Sequence, residues 1–323
     1  LRNLEVRLAY LRELEDRRTA ILESIAQQGK LTEALKAEIE AADTKQRLED
    51  LYAPYKPKRR TRAQIAREAG LEPLADAILA DPACDPLALA AGYANAEAGV
   101  ADAKAALDGA RDILAERYAE HADLLADLRD YLWKSGLLIS KVVEGKETEG
   151  ANFRDWFDFS EPLRTLPSHR VLALLRGRQQ GVLELRVGLE PEREAEVPHP
   201  CVARVAEFLQ LGKDLFAADA GPRARWLGEV CRWTWRVKLL TAFETEFIAR
   251  LRESAEAEAI RVFAANLKDL LLAAPAGPRP VLGLDPGIRT GVKVAAIDRT
   301  GKLLETATVY PFEPRRDREG AIA

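Results

Sequence analysis

Residues 274–280, APAGPRP, hold three prolines and one glycine in seven positions, and the apolar pattern changes across them. Proline has no backbone donor and clashes with the preceding turn, so a helix does not continue through such a segment. The chain must therefore be a mostly helical body followed by something of different period. Upstream, apolar residues recur at helical spacing. Downstream, residues 281–284 and 292–297 are short β-rich runs separated by a turn. The expected organisation is a helical region over 1–98, a second helical region with a small β insertion over 99–273, a linker over 274–280, and the start of an α/β domain over 281–323.

Leu4, Leu8, Leu11, Leu22 and Ile25 fall on one face of a first long helix, with Leu1 on the same face. Thr32 and Thr44 stand at the starts of two shorter helices. Asp85-Pro86 opens another, and residues 99–134 read as helix with a break near 119–123. Residues 223–273 read as one long helix, kinked near Gly228. Its Trp226, Trp233, Trp235, Phe243, Phe247, Leu251 and Phe263 form an apolar stripe suited to a core. Between these helical regions, residues 137–143 and 182–187 read as strands, and 171–176 as helix or strand. The aromatics Phe153, Trp156, Phe157 and Phe159 suit a core anchor better than base stacking.

Hydrophobic residues make up 47% and charged residues 31% of the 323, which is the composition of an ordered globular chain. Forty-eight basic against 52 acidic residues give a net charge of -4. Bulk charge thus does not announce a nucleic-acid partner, and that function requires local clustering. One such cluster exists. Five of the seven residues 56–62 are basic, namely Lys56, Lys58, Arg59, Arg60 and Arg62, behind Pro54, Pro57 and two tyrosines. The prolines hold the chain extended, and Thr61 can cap a helix running to Ala69. A stiff basic loop entering a helix suits phosphate contact, with the first-turn N–H groups adding to it. The competing structural reading pairs these side chains with nearby Glu and Asp.

Three cysteines without a CxxC pair point to a reducing cytoplasm. No run approaches a membrane span, and His199-Pro200-Cys201 lacks a second ligand pair for zinc. No cofactor and no metal are expected. With no methionine in the chain and helix from its first residues, both ends read as cut, and the sequence reads as an internal fragment.

The stretches LGLDPGIRTGVKVAAID, LYAPYKPKRRTRAQIAREAGLEPLAD, NAEAGVADAKAALDGARDIL, KVVEGKETEGANFRDWFDFSEPL and PSHRVLALLRGRQQGVL resemble the bacterial Tex family of transcription accessory proteins. The resemblance spans essentially the whole chain. It implies a mostly α scaffold with helix-turn-helix character, followed by the start of a YqgF-type RNase H-like domain. Helix-hairpin-helix elements and an OB-fold RNA-binding domain follow in the family. The implied function is nucleic-acid binding, RNA or DNA, in transcription, without catalysis. By position, Asp285 stands where RNase H-like enzymes place their first metal-binding carboxylate, and Gly287, Arg289 and Gly291 match the family's DPGxRTG pattern. The alternatives are a structure-selective nuclease using Asp285 with Mg²⁺, and a scaffold docking on RNA polymerase or a ribonucleoprotein.

Overall fold

The computed structural model describes residues 2–57, 60–287, 290–312 and 315–322. The chain is mostly α-helical, with two three-stranded antiparallel sheets among the described residues. It divides into two compact units, Leu1–Ala259 and Ile260–Ala323.

The first unit begins with α1 (Arg2–Gln27), α2 (Glu33–Ala41) and α3 (Lys45–Tyr52). The Thr32 and Thr44 hydroxyls accept from the backbone N–H groups of Leu35 and Arg47, each at 3.2 Å. Each thus satisfies a donor that the first turn leaves orphaned. The three helices close a small core of Leu14, Ile21, Ile25, Ile39, Leu48 and Leu51. The buried face of α1 is shorter than its sequence suggests. Leu4, Leu8 and Leu11 are exposed, because the core built with α2 and α3 reaches back only to Leu14, with Tyr10 at its edge.

The main core starts with α4 (Arg62–Glu68), α5 (Glu72–Ala80) and α6 (Pro86–Ala90), followed by α7 (Ala103–Ala119) and α8 (Ala122–Ser135). Helix α7 lies tight against α4. A Cβ at Gly109 would meet Leu71 Cδ1 at 2.4 Å and Ala66 Cβ at 3.1 Å. Gly109→Val is therefore expected to destabilise this unit by about 1–3 kcal/mol through overpacking, read as a lowered midpoint in urea denaturation.

In the first sheet, β1 (Leu137–Val142) is central, flanked by β2 (Asp158–Pro162) and β3 (Leu183–Gly188). Leu138 sits opposite Glu161 on one side and Val187 on the other. Sequence pattern alone misses β2, which starts inside the aromatic stretch and ends in Glu-Pro. The aromatics are anchors: Phe153 is buried, and Trp156 meets Phe159 edge-on at 4.9 Å while packing on the core. Residues 171–176 lie in helix α9 (Ser168–Gln179) rather than a strand, with Pro167 at its N-cap position. The edge strand β3 is partly shielded, since Glu244 Oε1 accepts from Val187 N at 3.1 Å.

After the short α10 (Pro191–Glu194), α11 (Pro200–Phe208) begins at His199, whose Nδ1 accepts from Cys201 N at 3.2 Å. His199 Nε2 lies 3.3 Å from Glu194 Oε2, and its ring stacks on Trp235 at 5.7 Å. Cys201 and Cys231 are buried free thiols. Burial pushes both upward, Cys231 to about 12, far from the thiolate form that reacts or binds metal.

Helix α12 (Pro222–Trp233) passes through a π turn, Thr234–Leu239, into α13 (Leu240–Leu271). The irregularity falls here rather than at Gly228, which instead lets α12 approach the Leu215 carbonyl. The Thr234 hydroxyl donates to Val230 O at 2.8 Å, a bond that loosens the regular ladder. Buried residues recur at every fourth position: Leu227, Cys231, Trp235, Leu239, Phe243, Phe247, Leu251 and Ala255. The expected stripe stops there. Phe263 is 67% exposed, on the stretch of α13 that belongs to the second unit.

The second unit carries β4 (Val281–Gly287), β5 (Gly291–Ile297) and β6 (Leu303–Val309) in sequential order, then α14 (Arg318–Ile322). The Asp298 carboxylate shapes the second hairpin. It accepts from Thr300 N and Oγ1, both at 2.7 Å, and from Lys302 N at 3.0 Å, with Gly301 at φ 84. Among the described residues, no helix is long and apolar enough to cross a membrane.

Candidate nucleic-acid interface

The basic segment enters from the end of α3 through a 3₁₀ turn, Ala53–Tyr55, that contains Pro54. Two contacts hold this approach to α1. Gln28 Nε2 donates to Tyr55 O at 2.9 Å, and the Ser24 and Tyr52 hydroxyls meet at 2.8 Å. On leaving, Thr61 Oγ1 accepts from Gln64 N at 3.1 Å and starts α4. This is the cap expected from sequence, and it occupies one of the first-turn N–H groups.

Of the five basic residues, Lys56, Arg60 and Arg62 are described and exposed, whereas Lys58 and Arg59 lie outside the described residues. Lys56 Nζ pairs with Glu49 Oε2 at 2.9 Å, and Arg60 Nε with Glu68 Oε2 at 3.0 Å. Arg17 holds the other Glu49 oxygen at 2.6 Å. That hydrogen bond, aided by Lys56 and opposed by partial burial, holds the Glu49 carboxyl below its usual range. The local-pairing expectation therefore describes two of the three visible side chains. Exposed pairs of this kind contribute about 0–1 kcal/mol each, so a phosphate can compete for either cation.

Beside this segment is a cleft of about 840 Å³ whose walls include Lys30, Tyr55, Lys56, Thr61, Gln64, Arg67 and Arg117. Lys30, Arg67 and Arg117 were not singled out from sequence. Arg67 reaches Glu116 at 2.9 Å and Arg117 reaches Asp76 at 2.8 Å, partners 49 and 41 positions away. Neither lies in a local charge run, so only folding brings them to the cleft.

Asp285 is elsewhere, in the second unit. It is not at a strand end. Strand β4 continues through Gly287, with Asp285 opposite Lys293 and Gly287 opposite Gly291. Arg289 lies outside the described residues. Pro286 fits because, among the described residues, β4 is an edge strand paired with β5 alone. The Asp285 carboxylate is exposed, and Lys293 Nζ is 4.0 Å from it. Among the described residues, no group of three or more His, Cys, Asp or Glu is placed to hold a metal ion.

Comparison with known proteins matches residues 81–263 to the family described as Tex central region-like, and residues 279–323 to the Tex protein YqgF-like domain. The chain is 83% identical over 322 residues to "Protein tex" of Bordetella pertussis, covering all of this chain and 41% of that protein. It is 54% identical over 310 residues to "Transcriptional accessory protein Tex" of Neisseria gonorrhoeae, covering 96% of this chain and 40% of that one. A human protein, "S1 RNA-binding domain-containing protein 1", is 29% identical over 323 residues, covering 96% and 31%. The chain thus spans about two fifths of the length of its bacterial relatives. With the central-region match running over more than half of its residues, the chain belongs to the Tex family.

Proposed function

We propose that this chain is part of a non-catalytic, nucleic-acid-binding transcription accessory protein, and that the loop Lys56 to Arg62 contacts phosphates. The observation that carries the reading is the loop itself. Exposed cations stand on a proline-stiffened segment anchored to α1 and α4, beside a cleft with further arginines. The names of the Neisseria and human relatives, which refer to transcription and to RNA binding, support the same class of partner. Residues 1–98 would supply the helix-turn-helix-like contacting region, and residues 281–323 would open an RNase H-like domain serving as a binding scaffold. RNA polymerase or a ribonucleoprotein is the protein partner this role suggests.

The test is a salt titration of binding to single- and double-stranded RNA and DNA by the full-length protein. Each phosphate contact contributes about 0.7–0.9 to the slope of log K against log salt. Reversing the charges of Arg59 and Arg60 together is expected to reduce that slope by about 1–2. An unchanged slope removes the loop from the interface. The nucleic acid is expected to remain intact in Mg²⁺ throughout, and cleavage that vanishes in Asp285→Asn would replace this function with the nuclease alternative.

A further inference from the structure

A second concentration of positive charge lies far along the sequence from the basic loop. Arg176 and Arg178, in the last turn of α9, and Arg252, on α13, line one cleft of about 670 Å³. All three are exposed, and none has a carboxylate within 4.0 Å among the described residues. Glu256 is the single acid in the cleft wall and is not ion-paired with them. Gln179 adds an amide donor, and Leu172 and Leu175 form a half-buried apolar side.

What sets these three apart is that one cleft gathers them. The chain has more acids than bases, and several arginines of the unit find a carboxylate: Arg17 with Glu49, Arg67 with Glu116, Arg117 with Asp76, Arg129 with Asp50, Arg204 with Asp127. Three unpaired guanidinium groups around one void repel each other, and the fold gains no ion pair in return. The negative end of the α9 dipole accounts for part of this, since cations are favoured in a last turn. It does not account for Arg252, which comes from another helix. All three positions are arginine, whose planar fork matches two phosphate oxygens at once, whereas lysine acts as a point charge.

The geometry points to the α9–α13 cleft as a binding site for successive phosphates of a nucleic-acid backbone. The guanidinium groups meet the phosphodiesters, and the leucine side packs against sugar. The site is separate from the Lys56 to Arg62 loop. Its ligand class rests on the nucleic-acid function proposed above, and its location does not.

The test compares the full-length protein with its R176Q/R178Q/R252Q variant, using fluorescence anisotropy on labelled single-stranded and duplex RNA and DNA across a salt series. The three side chains are exposed, so the variant is expected to melt with the wild type. Should it not, the single variant R252Q, away from the end of α9, carries the comparison. Affinity is expected to fall at least tenfold for the triple variant, and the salt slope by about 2–3. A triple-lysine variant is expected to keep most of the slope and lose affinity severalfold. Wild-type affinity and slope in the glutamine variant would overturn the site. Calorimetry with inorganic pyrophosphate separates the sources of phosphate: pyrophosphate binding lost in the variant, with nucleic-acid binding intact, would mean a small-molecule site and overturn the backbone assignment. The Arg59/Arg60 charge reversal, run in parallel, tells the two interfaces apart. A reduced slope in the cleft variant alone sustains the cleft and removes the loop, and the converse does the opposite. No binding by the wild type to any of the four nucleic acids would overturn both.

Discussion

Replacing Arg129 by methionine is expected to destabilise the larger unit by about 3–5 kcal/mol, the cost of leaving a buried charge unpaired. Arg129 on α8 joins elements far apart in sequence. Its Nη1 and Nη2 donate to Asp50 on α3 at 2.8 and 3.1 Å, and its Nε and Nη2 donate to Glu246 on α13 at 2.6 and 3.2 Å. Asp50 is only 5% exposed. Burial disfavours the charged guanidinium, yet the hydrogen bonds to Glu246 and Asp50 outweigh it and hold its pKa above the ordinary value. Methionine keeps much of the side-chain volume, so the loss reads the stranded Asp50 and Glu246 rather than a cavity. Urea denaturation followed by far-UV circular dichroism measures it. Combining R129M with D50N is expected to restore part of the loss, because the pair is coupled. A loss below about 1 kcal/mol would mean that solvent screens the triad as it does a surface pair.

Phe247→Ala is the second large expected effect, about 3–5 kcal/mol. Phe247 is fully buried, stacks on Phe243 at 5.9 Å and meets Trp133 of α8 at 5.8 Å. Trp133 in turn lies beneath Arg250 at 3.5 Å. These neighbours are fixed by α8 and α13, so the vacated volume cannot collapse cheaply, and the cavity cost adds to the lost transfer energy. A midpoint shift without a change in denaturant slope distinguishes lost stability from a more open native state. Phe263→Ala, on the same helix but exposed, provides the contrast and should move the midpoint little.

Much of the architecture was readable residue by residue. Thr32, Thr44, Thr61 and Asp85 each cap the helix they precede, because a short side-chain oxygen beside a helical run has one dominant use. The break between α7 and α8 and the meander after residue 280 were equally legible. What escaped depends on partners. Leu4, Leu8 and Leu11 keep helical spacing but, among the described residues, stay outside the core of their unit, and periodicity records a face without recording what covers it. Strand β2 escaped because its five residues, Asp158–Pro162, hold two acids and a proline and are held in the sheet by pairing with β1. At the candidate interface, the loop was visible as a local charge run. Arg67, Arg117 and the α9–α13 arginines were not, since their grouping arises from helices distant in the chain. Arg129 is the extreme case, with partners 79 and 117 positions away.

The four-residue spacing of buried positions from Leu227 to Ala255 has a geometric consequence. An α-helix completes a turn in about 3.6 residues, so a stripe repeating every four creeps round the axis by about 40° per step. The wider π turn between Thr234 and Leu239 has more than four residues per turn and takes back part of this creep. The inward-facing line is thus a spiral, like the thread of a screw, and different clients meet it at successive heights. Gly228, one position past Leu227, faces the Leu215 carbonyl; Trp235 takes the His199 ring; Glu244, one past Phe243, reaches strand β3; and Phe247 meets Trp133. A single rod thereby serves as the axle for segments that never touch one another in sequence, and a one-residue insertion anywhere along it would turn every client beyond that point to the wrong side.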